Sequence, residues 1–158
     1  MGRFTVRIPL PMPPERLWDL HQDPAVLLRI TPRFLGVRIE DPGARLGPDA
    51  RFTIVLEPFR LGIRLRWETR IERYDPPYCF VDTQERGPFA HWRHVHRFEP
   101  HPGGSELVEE VEFASPFGVL GRIADRMVME RILRSLFHHR ARAFARLAAE
   151  ETAEPSGA

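Results

Sequence analysis

The residues with the most chemical potential lie in one stretch, F-V-D-T-Q-E-R-G-P-F-A-H-W-R-H-V-H-R-F, from Phe80 to Phe98. It sets Asp82, Gln84, His94 and His96 among aromatic residues, and Glu109 follows thirteen positions after His96. Two imidazoles beside two carboxylates can move protons, because histidine titrates near neutrality and a neighbouring carboxylate tunes it. Two histidines and a carboxylate on adjacent strands can also face one point in space, since His-x-His puts both rings on one side of a strand.

The order of residues places these groups. Gly87-Pro88-Phe89 reads as a hairpin turn, so antiparallel pairing sets Gln84 opposite Trp92, Asp82 opposite His94 and Phe80 opposite His96. Continuing through Pro102-Gly103-Gly104, with Phe98, Leu107, Val111 and Phe113 facing the core, sets Glu109 opposite His96. Asp82, His94, His96 and Glu109 then interrupt an apolar face. Buried ionisable groups cost several kcal/mol unless paired, which predicts the pairs Asp82–His94 and His96–Glu109. The cluster reads as a satisfied polar ladder, as the polar floor of a ligand cavity, or as a general acid and base suited to dehydration or enolisation. A cupin-type metal site has its Glu a few residues after His-x-His, which Glu109 does not match, so no metal and no cofactor are expected.

The elements that carry this cluster follow from periodicity. Phe4, Val6 and Ile8 alternate with Arg3, Thr5 and Arg7, a half-buried strand over Arg3 to Pro9. Pro14 opens a short helix through Leu17, Trp18 and Leu20. Asp23 caps a second one, with Pro24 at its first position and Val26, Leu27 and Ile30 as its apolar side. Six further strands are read over Leu35 to Glu40, Arg51 to Glu57, Ile63 to Tyr74, Tyr78 to Glu85, His91 to Glu99 and Glu106 to Phe113. Short Pro/Gly turns between them predict an antiparallel meander. In the fourth strand Ile63, Leu65, Trp67 and Ile71 share a covered face, while Arg64, Arg66, Glu68, Arg70 and Glu72 share a wet one laced with ion pairs.

A long helix is read over Phe117 to Glu150, its stripe formed by Ile132, Leu133, Leu136, Phe137, Phe144 and Leu147. Val119, Leu120, Ile123 and Met127 lie about 100° round the wheel from that stripe, which predicts a kink near Asp125 to Val128. Arg140, Arg142 and Arg146 fall in the last turns, where cations complement the helix dipole. His138 and His139 diverge by about 100° and make no joint metal site.

Composition narrows the function. The 158 residues read as one domain over 1–151 with a disordered tail over 152–158. A net charge of +1 from 23 basic and 22 acidic residues disfavours a nucleic-acid partner. Every basic residue besides histidine is Arg, and the absence of Lys excludes Schiff-base chemistry. A single cysteine, Cys79, leaves no intrachain disulfide or cysteine-based zinc cluster. With no signal peptide and no run of 18 apolar residues, a cytoplasmic protein without stable membrane insertion is expected. An interaction protein using its Arg-rich surface stays as an alternative.

The succession of strand, two short helices, six antiparallel strands and a long C-terminal helix resembles the START-like, polyketide cyclase-like superfamily (SRPBCC). D-P-A-V-L-L-R-I-T-P from Asp23, F-V-D-T-Q-x-x-G-P-F-x-x-W-x-H-x-H-x-F from Phe80 and P-x-G-x-L-G from Pro116 look like its stand-alone bacterial ligand-binding members. The resemblance implies an α+β helix-grip fold, with a seven-stranded antiparallel sheet wrapped around the C-terminal helix. It further implies binding of a hydrophobic or amphipathic small molecule, lipid-like or polyketide-like, in a cavity between sheet and helix. Trp67, Trp92, Phe98, Phe113 and Phe137 would be its walls, and Asp82, Gln84, His94, His96 and Glu109 would orient the ligand's polar end. The alternative is a cyclase/dehydratase-type enzyme using a His/carboxylate pair there, with His94 or His96 moving the proton and Asp82 or Glu109 orienting it.

Overall fold

The computed structural model of the chain describes residues 1–40, 45–58, 61–116, 118 and 128–153. Strand β1 (Gly2–Leu10) turns Val6, Ile8 and Leu10 inward and Arg3, Thr5 and Arg7 into water. Helix α1 (Pro14–Gln22) starts on a proline that needs no amide donor and buries Leu17 and Trp18. Helix α2 (Pro24–Ile30) is capped by Asp23, whose carboxylate accepts the amide N–H of Ala25 at 2.8 Å. After a 3-10 turn at Arg33–Leu35 come β2 (Arg38–Ile39), β3 (Arg51–Leu56), β4 (Leu65–Asp75), β5 (Cys79–Arg86), β6 (His91–His101), β7 (Gly104–Ala114) and helix α3 (Glu130–Ala153).

The strands form one antiparallel sheet in the order β1-β7-β6-β5-β4-β3-β2, a meander whose last strand returns beside the first. Helix α3 lies against β1 and α2, and α1 against β6 and β7. This is a helix-grip α+β fold, with α1 and α2 between the first two strands. Two apolar clusters fill it. One gathers Leu10, Trp18, Ile71, Phe80, Phe98 and Phe144, and the other Trp92, Val111, Phe113, Leu133 and Phe137.

Several expectations shift in detail. The second strand shortens to Arg38–Ile39 because Leu35 ends a 3-10 turn and Gly36 is left-handed at φ 55°, where a Cβ would meet the Glu57 carbonyl oxygen at 2.5 Å. Ile63 precedes β4 and is exposed, behind Gly62 at φ 74°. A register shift between Ile71 and Arg73 leaves Glu72 and Arg73 both in water, and Tyr74 turns inward to pack on Trp18. Ile132, placed in the stripe of α3, is exposed. Helix α3 continues through Ala153, past the expected start of the tail, and residues 154–158 lie outside the described residues. The expected start at Phe117 and most of the kink near Asp125 to Val128 also lie outside them.

The outer face of the sheet is an Arg/Glu lattice. Arg3 pairs with Glu112, Arg66 with Glu40, Arg93 with Glu72 and Arg97 with Glu110. Arg3–Glu112 and Arg97–Glu110 join neighbouring strands, while Arg93 reaches across β5 to Glu72 and Arg66 reaches across β3 to Glu40, just past β2.

Candidate functional site

The inner face at the centre of the sheet carries the cluster. The observed register sets Asp82 opposite His94 and His96 opposite Glu109, so β5, β6 and β7 bring all four side chains to one place. His94, His96 and Glu109 are buried, and the Asp82 side chain keeps 15% exposure. Phe80 stacks on His96 at 4.0 Å between ring centroids, the two imidazoles lie 3.8 Å apart, and Phe137 of α3 meets His94 edge-on at 5.8 Å.

Both expected pairs, Asp82–His94 and His96–Glu109, stand at ion-pair distance, but neither is the shortest contact. The short contact runs diagonally, His96 Nε2 to Asp82 Oδ2 at 2.9 Å, while the directly opposite pair, His94 Nδ1 to Asp82 Oδ2, stands at 3.6 Å. Glu109 Oε1 lies 3.5 Å from both His94 Nε2 and His96 Nδ1, at ion-pair rather than hydrogen-bonding distance. Its short partner is Arg140 of α3, whose Nη1 donates to Oε1 at 2.7 Å. Arg140 is buried and packs over Phe137, with its guanidinium carbon 5.2 Å from the ring centroid.

Two functional neighbours escape the sequence reading. Arg140 stood there as a cation complementing the helix dipole, yet it falls between Phe137 and Phe144 in a buried run of three- and four-residue steps from Leu133 to Leu147. That spacing was the available signal. His21 shares the face of α1 that carries Leu17 and Trp18. Its Nδ1–H donates to the Leu17 carbonyl at 2.7 Å, and its ring stacks on Phe144 and approaches His96 at 6.0 Å.

The electrostatics follow from this enclosure. Burial opposes charge on Glu109, but Arg140 and the two imidazoles hold its carboxyl well below the usual range. Burial likewise opposes charge on Asp82, and the hydrogen bond from His96 with the charge of both rings leaves it lowered. The histidines separate. Burial and the neighbouring His96 push His94 down, whereas for His96 the two carboxylates outweigh burial and raise it. His21, desolvated and beside His96, is lowered to about 3. Of the two rings, His96 is therefore the one whose charged form the carboxylates favour.

The remaining expected site residues divide. Gln84 spends its amide on the hairpin tip, donating to the Phe89 carbonyl at 2.7 Å and accepting from the Phe89 N–H at 3.3 Å. Trp67, Trp92 and Phe89 form an aromatic trio there, with the two indoles 4.7 Å apart and edge-on. Phe113 and Phe137 belong to the cluster of Trp92, and Phe98 to the other one with Trp18. A groove of about 650 Å³ opens between β1 and α3. Phe4, Val6, Ile8, Phe137 and Ala141 supply apolar lining, and Arg3, Arg7, Arg134 and His138 add basic groups. Of the five expected wall residues, Phe137 is the one that borders it.

Among the described residues no helix is long and apolar enough to cross a membrane. The helix-grip fold is that of the SRPBCC superfamily. The model of the family "Polyketide cyclase / dehydrase and lipid transport" matches residues 10–145, and the chain belongs to that family. No curated protein matches the chain. A crystal structure of a protein from Thermus thermophilus is similar at 20% identity and a TM-score of 0.71, covering 94% of this chain and 99% of that one. One from Mycobacterium smegmatis is similar at 20% identity and 0.71, covering 94% and 92%. That of Ara h 8.0201 is similar at 15% identity and 0.63, covering 94% and 98%. At these identities the likeness shows the fold. Family and fold together support membership of a hydrophobic ligand-binding or polyketide cyclase-like superfamily.

Proposed function

We propose that the protein binds a hydrophobic or amphipathic small molecule, lipid-like or polyketide-like, where the sheet meets the C-terminal helix. The observation that carries this reading is the groove of about 650 Å³ between β1 and α3, within the size range of small-molecule sites. Its apolar groups suit a hydrocarbon body and its arginines suit an anionic end, so an acidic amphiphile is the favoured ligand. Arg134, with no partner among the described residues, is the cation best placed to receive that end. Phe137 stands between this groove and His94, and links the apolar lining to the polar centre.

Titration with a fluorescent fatty-acid analogue tests the reading, with native mass spectrometry and solvent extraction of the purified protein to reveal a co-purified ligand. Saturable binding of one equivalent is expected. Thr5→Trp, an exposed change that fills the groove, should abolish it, and Arg134→Glu should weaken it about tenfold, equivalent to about 1.4 kcal/mol. Absent binding, or binding indifferent to both changes, refutes the proposal.

The opposite shifts of adjacent His94 and His96 favour a second reading, proton transfer of the cyclase/dehydratase type. In it His96 gives the proton, His94 accepts one, and Asp82 and Glu109 orient the rings. Wild-type protein would convert a poly-β-keto thioester that His96→Ala leaves intact. If the wild type leaves such thioesters unchanged, this second reading falls.

A further inference from the structure

Asp82, His94 and His96 each place one ligand-type atom within 4.8 Å of those of the other two. The carboxylate oxygen Oδ2 of Asp82 is 2.9 Å from His96 Nε2 and 3.6 Å from His94 Nδ1. Ligand atoms about 2.0–2.2 Å from a tetrahedral ion are separated by roughly 3.3–3.5 Å. The oxygen therefore already stands near the spacing that two ligands of one ion require. The donors come from paired strands at the middle of the sheet, β5 and β6, and the two rings share a face because they are two residues apart.

The far side of each ring supports the same conclusion. His94 Nε2 and His96 Nδ1 both look toward Glu109 Oε1 at 3.5 Å, and Arg140 fixes that oxygen at 2.7 Å. A carboxylate behind a ligating imidazole sets its tautomer and orientation. Arg140 also decides which side a cation can take, because an ion beside Glu109 would face a guanidinium. Asp82 is the least enclosed of the four groups and offers a way in. With both imidazoles neutral, as ligation requires, two carboxylates against one guanidinium leave one negative charge to meet a cation.

We propose that Asp82, His94 and His96 form a facial binding site for a divalent transition metal, with Glu109 and Arg140 as its positioning residues. Two nitrogens and one carboxylate oxygen suit zinc or ferrous iron better than magnesium or calcium, and leave coordination positions open. The inference does not rest on the groove between β1 and α3. Failure of fatty-acid binding leaves it standing, and its own failure leaves that reading intact.

The test is titration of chelator-stripped protein with Co²⁺, followed by visible absorption, then displacement by Zn²⁺. One equivalent should give saturable bands, with affinity falling at least about tenfold in Asp82→Asn and in His96→Gln, and unchanged in His138→Gln. Circular dichroism checks that each variant is folded. The wild-type protein supplies a readout that needs no variant. Zn²⁺ should shift the imidazole nitrogen resonances of His94 and His96 and leave those of His138 and His139. No saturable Co²⁺ signal, an unchanged signal in folded Asp82→Asn, loss of it in His138→Gln, or shifts confined to other histidines would overturn the proposal.

Discussion

Glu109 and Glu110 are consecutive residues of β7, and each forms a short ion pair with an arginine, yet the two sit in different worlds. Glu110 points outward to Arg97 on β6, both of them a third exposed, in a lattice of similar pairs. Glu109 points inward to Arg140, with no exposure and two imidazoles beside it. On the outer face water and dissolved salt already stabilise each charge, so partners are interchangeable. On the inner face every charge depends on a particular neighbour, and the geometry of one residue constrains the next. A strand's period of two is enough to separate these regimes across a single peptide bond.

Removing one partner on each side should expose the difference most. Arg140→Ala strands the Glu109 carboxylate, and breaking a buried pair in this way costs about 3–5 kcal/mol. Urea denaturation would measure that loss. Arg140→Met combined with Glu109→Leu should recover most of it, because well-packed apolar residues dispense with the stranded charge. A loss below about 1 kcal/mol in Arg140→Ala would show that water reaches Glu109 and that the two faces are alike.

pH distinguishes the faces next, since the inner groups include histidines whose protonation depends on folding. His94 and His21 hold protons less readily in the folded chain, so stability falls as pH drops below the ordinary imidazole value of about 6.5. For His21, lowered to about 3, that loss continues across several units with a slope of at most about 1.4 kcal/mol per unit. The carboxylates of Asp82 and Glu109, held low, add a further loss as pH falls through their folded values. His96 behaves oppositely. Its raised affinity contributes fully below the ordinary value and is lost as pH rises through the folded one. The melting temperature should peak near pH 6.5, with His96→Gln flattening the alkaline limb and His21→Phe the acid limb. Melting curves in which both variants keep both limbs would refute the assignment.

The inner cluster was legible because register is over-determined there. Apolar residues on alternate positions and two Pro/Gly turns leave one pairing that keeps Phe98, Leu107 and Val111 inside, and it carries Asp82, His94, His96 and Glu109 with them. Which of the four touch was not legible, since side-chain reach rather than strand order makes Asp82–His96 the short contact. Arg140 was hidden by its charge, although its place in the stripe of α3 marked it as buried. Gln84 has the right parity for the site, but the hairpin tip claims its amide. The groove lies between α3 and the edge strand β1, two elements far apart in the sequence, and no periodicity encodes how they meet.

The smallest expected effect tests the outer half of the comparison. Glu110→Ala removes the acceptor of the Arg97 hydrogen bond, the main reason the Glu110 carboxyl lies below its usual range. The freed guanidinium stays hydrated and close to Glu99, which its Nε reaches at 3.2 Å, so nothing is stranded. The expected loss is below about 1 kcal/mol in low salt. It should fade near 1 M NaCl, where screening shortens the reach of charge to about 3 Å. Denaturation of Glu110→Ala beside Arg140→Ala at both salt concentrations makes the contrast direct, since the buried pair is shielded from ions and its loss should persist. An outer loss that equals the inner one, or ignores salt, would mean that the lattice of β1, β7 and β6 acts as a cooperative network rather than as separate pairs.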